Sequence, residues 1–370
     1  MAHTKRRFND RSRSTKNITG ELRLTIAVIN ASNPRADLLQ YESDVYIDYR
    51  SGRASCFDGA KNTKQCRSWN SWTYAMETEF FVYLKDKWTD VYKYDNVIVL
   101  VNREIQEVLP LVKKLKLMKK KVAVSFHESV SDLISGSGVG QEDLGKRWVA
   151  LYDLVQEADF YINLFGQVQS FFEGWFGANK VKYCNHGAPM DWNHGFTKPY
   201  QDRKYDILIG TRTFNQRITR NTLVAMGTLN GAAREWGWNV HYLSEDGDVA
   251  PLLKRMGLNN ITVHRGPLKW EEWLEFLSNF KIVVSADNSI NLSQITMDCA
   301  MVDVYCIGGT CWNQMLVGGD DHGNFDTWAN RIFAATTTLD NYEQKEKFKQ
   351  SLHPDNVKQN LMGLFENKEK

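Results

Sequence analysis

Short apolar runs alternate with longer amphipathic stretches along most of this chain, and the alternation restarts once. In the first half, LRLTIAVIN (22–30), VIVLV (97–101), KVAVSF (121–126), 159–164 and 180–184 read as strands. Helical spacing fills the gaps to about Met118 and over 144–157 and 166–176. In the second half the strands are YDILIG (205–210), NVHYL (239–243), ITVH (261–264), KIVVSA (281–286) and VDVYCIG (302–308), with helices at about 219–235 and 248–256 and one between each later pair of strands. Near-continuous apolar runs of this length suit parallel strands covered by helices on both faces. Two consecutive runs of strand and helix predict an α/β protein of two Rossmann-like domains facing a cleft.

The punctuation places the boundaries. Residues 1–20 read as a disordered basic arm, 21–190 as the first domain and 203–335 as the second. NHGAPMDWNHGFTKPYQD (185–202) has the Gly, Pro and Asn content of a linker. The charged, amphipathic stretch 336–370 is expected to form helices packing across the two domains. Residues 51–75 look like a long irregular insert, and loops of that length inside a domain tend to be functional or mobile.

Polar chemistry concentrates in 261–309, where Asp287, Asn288, Ser289, Asn291, Gln294 and Asp298 gather at one strand-to-helix junction. In an open α/β sheet that junction lies at the carboxyl edge of the strands, where ligands bind. GSGVG (136–140) neither closely follows a strand nor opens an obvious helix, so it carries little weight as a dinucleotide fingerprint.

Composition narrows the class. A chain of 370 residues is comfortable for two α/β domains, and 42% hydrophobic with 24% charged residues is a globular balance. No run approaches the roughly 18–20 apolar residues of a membrane span. The basic start MAHTKRRFNDRSRSTKN has no apolar core behind it, so a secretory signal is not expected and a cytoplasmic setting is. Six cysteines without a CxxC pair read as reduced core thiols. The net charge of +2 hides two basic clusters, Lys5–Lys16 and Lys113–Lys121, of a kind that meets phosphate or an anionic surface. Each cluster also reads as a solvated tail or helix end. Trp69, Trp72 and Trp88 fall where periodicity is weak, so core and binding platform both stand for them.

The order of segments resembles that of GT-B glycosyltransferases. VKYCNHGAPMDW (181–192) is similar to the stretch that leaves their first domain, and YDILIGTRTFNQR (205–217) to the opening strand and basic loop of their donor domain. The turn in VHRGPLKWEE (263–272) is similar to their glycine turn near the nucleotide base, which singles out Gly266. Within that space, LTIAVINASN (24–33), GTRTFNQRITR (210–220) and MDCAMVDVYCI (297–307) look closest to the phage DNA β-glucosyltransferases, which glucosylate hydroxymethylated cytosine. The match departs at Ile295, where those enzymes carry an arginine three residues before the donor-site acid. It departs from the paired glutamates of many retaining GT-B enzymes at Ile290.

The resemblance implies a glycosyltransferase using a nucleotide sugar, with UDP-sugar expected, and hydroxymethylated cytosine in phage DNA as acceptor (a host-cytoplasm setting if viral). A cell-surface glycan, lipid or protein acceptor, or a sugar-nucleotide epimerase-like activity, is the alternative. Arg212, Arg217 and Arg220 would fork onto the pyrophosphate, as planar guanidinium groups do. Asp298 would accept the ribose hydroxyls, and Asn288 and Gln294 the sugar. Glu128 would be general base for an inverting reaction; for a retaining one His127 would orient acceptor or sugar. His186 and His194, in the linker, rank behind them. No tightly bound cofactor or dedicated metal site is expected, Mg²⁺ being allowed through the phosphates but not required. For double-stranded DNA the candidates are Lys113, Lys114, Lys119, Lys120, Trp69 and Trp72. The choice of sugar and the stereochemistry rest on a few loop atoms that the sequence does not specify.

Overall fold

The computed structural model describes residues 25–31, 71–82, 90–101, 105–127, 141–210, 222–285, 294–307 and 343–366 apart from scattered positions, together with Val130, Leu133 and short strands between 46 and 63. Among these residues eight strands make one sheet in the order β10-β9-β8-β7-β1-β6-β3-β2. The strands are β1 Ile26–Asn30, β2 Tyr46–Asp48, β3 Arg53–Ser55, β6 Phe80–Val82, β7 Asn96–Val101, β8 Lys121–Phe126, β9 Phe160–Asn163 and β10 Val181–Tyr183. β4 (Phe57–Asp58) and β5 (Asn62–Thr63) form a separate antiparallel pair. All pairings from β6 through β10 are parallel; β2 and β3 run antiparallel along one edge.

The centre of that sheet is apolar on both faces, as the continuous runs predicted. Val97, Ile98 and Val99 of β7 and Val122, Ala123 and Val124 of β8 are all fully buried. Each such Val or Ile side chain removed from water contributes about 1.5–3 kcal/mol. Helices α2 (Leu109–Leu117), α3 (Gln141–Glu157) and α4 (Gln169–Phe176) follow β7, β8 and β9 in turn. α2 begins with Pro110, whose missing N–H is no loss in a first turn, and ends with Lys114 and Lys116 against the negative end of the helix dipole.

The second sheet has five parallel strands in the order β13-β12-β11-β14-β15. These are β11 Tyr205–Ile209, β12 Val240–Ser244, β13 Ile261–Arg265, β14 Phe280–Val284 and β15 Tyr305–Ile307. One apolar cluster joins Ile207, Ile209 and Tyr242 to α5 (Thr222–Trp236) and α6 (Ala250–Arg255). The other joins Leu208, Leu243 and Val283 to α7 (Trp270–Leu277), α8 (Gln294–Met301) and α9 (Glu343–Leu352). The fold is therefore α/β, with two parallel-centred sheets.

Three features tie the two halves together. Arg203, the first residue past the linker, is buried, and its guanidinium donates to the carbonyls of Phe280, Lys198 and Asp303, each at 2.9 Å. That planar fork holds the end of the linker against the second sheet. α9 packs on the second sheet's core through Phe348 and Leu352, and α10 (Pro354–Glu366) on the first core through Val357, Leu361 and Phe365. The linker's Ala188 N–H donates to Leu352 O between them, at 2.9 Å.

The stretch 51–75, read from sequence as an irregular insert, holds β3 to β5 and α1 (Ser71–Met76). Five of the six residues of α1 are buried. Alternating polar and aromatic positions concealed these elements because they lean on β6 and α10, not on a stripe of their own.

Candidate active site

In the second sheet the chain lays β11, β12 and β13 in one direction and then returns to place β14 on the other side of β11. This reversal is the switch point at which an open α/β sheet leaves a crevice beyond its carboxyl edge. Three described positions mark that edge. Gly210 N–H donates to Val284 O (2.7 Å), Ser285 N–H to Ile307 O (2.9 Å) and Gly266 N–H to Ser244 O (2.8 Å). α8 starts beside them at Gln294.

Gly210 is where the packing is tightest. A Cβ there would lie 2.7 Å from Ile295 Cδ1, 2.9 Å from Val283 Cγ1 and 3.3 Å from Val284 O. Only glycine lets the first turn of α8 sit directly over the end of β11. Ile295 is thus a packing residue against that glycine.

Asp298, expected to accept the ribose hydroxyls, lies in α8. Its carboxylate is turned into the interior, 2% exposed, instead of standing open to a ribose. Trp273 Nε1 donates to it at 2.9 Å, Gln294 Nε2 at 2.9 Å and Trp270 Nε1 at 3.4 Å. Burial of a carboxylate requires such donors, and here α7 supplies both indoles. Asp298 therefore clamps α8 to α7, and Gln294 spends its amide on the same clamp. Gly266 lies just past the end of β13, whereas Arg212, Arg217, Arg220 and Asn288 fall outside the described residues.

On the first sheet, β8 delivers His127 to the carboxyl edge, its backbone N–H bonded to Val101 O at 2.9 Å. The imidazole does not face open solvent. Its ring meets Trp72 edge-on at 5.2 Å and His186 edge-on at 5.0 Å. Trp72 and His186 stack at 5.9 Å, 22° apart. Ser71 Oγ lies 2.8 Å from His186 Nδ1, and Trp72 Nε1 donates to Asn185 O at 2.9 Å. Among the described residues, both nitrogens of His127 and Nε2 of His186 are buried without a hydrogen-bond partner. Each such orphan costs about 1–3 kcal/mol, a cost usually tolerated only for a reason.

Burial lowers the His127 pKa from its ordinary 6.5 to about 3. The His186 pKa falls well below that ordinary value, through burial first and the nearness of His127 second. Both rings are neutral at pH 7, so each offers one N–H and one lone pair. A group with a pKa near 3 is a poor proton acceptor at neutral pH; His127 is suited to orienting a hydroxyl, not to taking its proton. Glu128, next in the chain, lies outside the described residues.

Sequence reasoning ranked His186 behind His127 and missed that the two meet. The signal was present in Asn185-His186-Gly187. A Cβ on Gly187 would approach Ser71 O at 3.3 Å, so the glycine lets the linker run hard against α1. α1 itself was not foreseen, and without it nothing placed Trp72 between the histidines. Trp72, for which core and binding platform both stood, is buried at 1% exposure. Trp69 and Trp88 lie outside the described residues. Lys113, Lys114 and Lys119 are exposed on and just beyond α2, while Lys120 is half-buried with its ammonium 3.9 Å from Asp95. Cys184, Cys299 and Cys306 are buried thiols outside any disulfide.

No family model matches the chain, and no curated protein matches it. Solved structures do. HepE of Anabaena, solved with UDP and glucose, superimposes with a TM-score of 0.59 at 10% identity, over 92% of this chain and 98% of that one. Trehalose 6-phosphate synthase of Burkholderia multivorans gives 0.57 at 8% identity, over 92% and 97%. Sucrose-phosphate synthase of Thermosynechococcus elongatus gives 0.54 at 11% identity, over 93% and 98%.

The chain has the GT-B fold. In a GT-B frame the switch-point edge of the second sheet and the His127–His186 edge of the first are the carboxyl edges of the two domains. Among the described residues no helix is long and apolar enough to cross a membrane.

Proposed function

We propose that this protein is a glycosyltransferase that moves a sugar from a UDP-sugar to a hydroxyl acceptor. The observation that carries the reading is the crevice at Gly210, Ser285 and the start of α8, in a chain whose fold matches HepE, itself solved with UDP-glucose over nearly its whole length. Arg212, Arg217 and Arg220 follow β11 in sequence and supply the pyrophosphate contacts, with Gly266 and Asn288 near base and sugar. Glu128 takes the acceptor proton if the reaction inverts. Neutral His127, backed by His186 and Trp72, orients a hydroxyl. Mg²⁺ through the phosphates is compatible with this scheme and not needed by it.

For the acceptor we propose hydroxymethylated cytosine in DNA, on the resemblance described above and on the exposed lysines Lys113, Lys114 and Lys119. The burial of Trp72 removes one of the two aromatic side chains named for that role. A glycan, lipid or protein acceptor is the second reading, favoured by the exposed apolar surface on α3 and α4.

The test is to incubate the protein with a panel of nucleotide sugars, with and without hydroxymethylated DNA, following UDP release and nucleoside mass. UDP release that Arg217→Ala weakens ten- to a hundredfold, about 1.5–3 kcal/mol for one charge-assisted contact, supports the donor assignment. A nucleoside mass shift supports the DNA acceptor. Release without a mass shift rejects DNA and retains the transferase.

A further inference from the structure

The Asp298 carboxylate points into the core and is engaged by Trp273 and Gln294, so the ribose of a bound nucleotide has to find its acceptor elsewhere. A second carboxylate lies at the carboxyl edge of the same sheet. Asp248 sits in the turn between β12 and α6. Its Oδ1 accepts the Ala250 N–H at 3.2 Å, and its Oδ2 pairs with Arg265 Nη2. Arg265 is the last residue of β13, next to Gly266. The pair stands in the open, with 70% of the Arg265 side chain and 41% of the Asp248 side chain exposed. An exposed ion pair adds little to stability, so this one is not explained as a stabilising contact.

A hydroxyl accompanies it. Ser244, the last residue of β12, is paired in register with Arg265, and neighbours across a parallel ladder point to the same face. Its side chain is fully buried, and among the described residues its Oγ has no hydrogen-bond partner. Buried polar groups are nearly always bonded, so this hydroxyl calls for a partner from outside the fold. Ser244 O in turn accepts the Gly266 N–H, one of the bonds that mark the crevice edge. Asp248, Arg265 and Ser244 thus lie at one side of the donor crevice, and none of them is among the arginines assigned to the pyrophosphate.

We propose that Asp248 accepts the ribose hydroxyls of the nucleotide, positioned by Arg265, with Ser244 as a further hydrogen-bonding partner of the same diol. A carboxylate has about four lone-pair sites, so one that already accepts two bonds still serves two hydroxyls. A phosphate is the poorer fit, because the charge of Asp248 offsets that of Arg265. The spacing also suits a nucleoside. β12 and β13 lie one and two strands from β11, about 5 and 10 Å at the usual strand separation. The inference rests on the donor reading above and assigns a part of that site which its arginines do not cover.

The experiment compares UDP with 2′-deoxy-UDP by calorimetry on the full chain. The wild type is expected to bind UDP about ten- to a hundredfold more tightly, the loss that follows from removing one charge-assisted hydrogen bond. Asp248→Ala should bring the two affinities within about twofold of each other by weakening UDP alone. Asp248→Asn, which keeps an oxygen for the Ala250 N–H, should fall between. Ser244→Ala should weaken UDP without lowering the unfolding temperature, since the hydroxyl has no bond to lose in the free chain. Asp298→Asn should leave the ratio as it is. If the wild type binds neither nucleotide, the donor reading falls and takes this inference with it. If UDP binds but the wild type does not distinguish the two, or if Asp298→Asn and not Asp248→Ala erases the difference, the donor site stands and the ribose assignment is overturned.

Discussion

Substituting Gly210 by alanine probes the geometry on which the donor crevice depends. The new methyl group would meet Val283 Cγ1 at 2.9 Å and Ile295 Cδ1 at 2.7 Å. Val283 is fully buried in the middle of the sheet and has no room to withdraw. The third neighbour, Val284 O, is tied to Gly210 N–H itself, so the backbone cannot shift without stretching that bond. Ile295 can yield, but only by moving the first turn of α8. Overpacking of this kind costs about 1–3 kcal/mol. Trimming the side chain it strikes should recover part of that, although Ile295→Val alone costs about 0.5–1.5 kcal/mol. Denaturant unfolding of the wild type, both single variants and the double variant forms a double-mutant cycle, with UDP binding measured on each by calorimetry. The double variant should be less destabilised than the sum of the singles by roughly 1 kcal/mol, within the range for residues in contact. Weakened UDP binding should accompany Gly210→Ala. If Gly210→Ala is as stable as the wild type, or the two changes simply add, then α8 does not rest on that glycine and the crevice is built differently.

Stability should fall in acid for a defined reason. His127 is neutral in the folded chain, with its pKa lowered by burial from 6.5 to about 3, so the unfolded chain binds the extra proton first. Its contribution is complete above pH 6.5 and is lost as pH drops toward about 3, amounting to roughly 4–5 kcal/mol over that window. His241, lowered to about 4 by burial and by His264, adds in the same direction. Urea melts of the wild type and of His127→Phe across that range should show the variant losing less; equal slopes would contradict the assignment. Asp298→Ala should destabilise by about 1–3 kcal/mol, because it takes a buried acceptor from the indole of Trp273 and the amide of Gln294. It should do so with or without UDP present, and a variant folded normally but impaired only in UDP binding would restore the ribose role to Asp298.

How much of this was legible beforehand differs by element. KVAVSF was read as a strand to the residue, because a run buried on both faces needs no partner pattern to declare itself. The two-domain α/β plan followed from such runs. α1 was hidden, because a six-residue helix wrapped by β1, α10 and the linker has no single apolar stripe. His186 was undervalued for the same reason, since its role comes from contacts with residues 115 and 59 positions away, and contacts that distant leave no local mark. The clamp made by Asp298 was not legible, because its position in sequence, early in a helix after a polar loop, fits a ligand contact as well as a clamp. Only the two indoles of α7, 25 and 28 residues upstream, distinguish the readings.

The most direct test of the account is amide hydrogen exchange on the full chain with and without a saturating UDP-sugar. Slowed exchange at the ends of β11 and β14 and at the first turn of α8, with little change along the opposite edge of that sheet, is the predicted result. Failure of every UDP-sugar to alter exchange there, or protection confined to another surface, would contradict the central claim that this edge is the donor site.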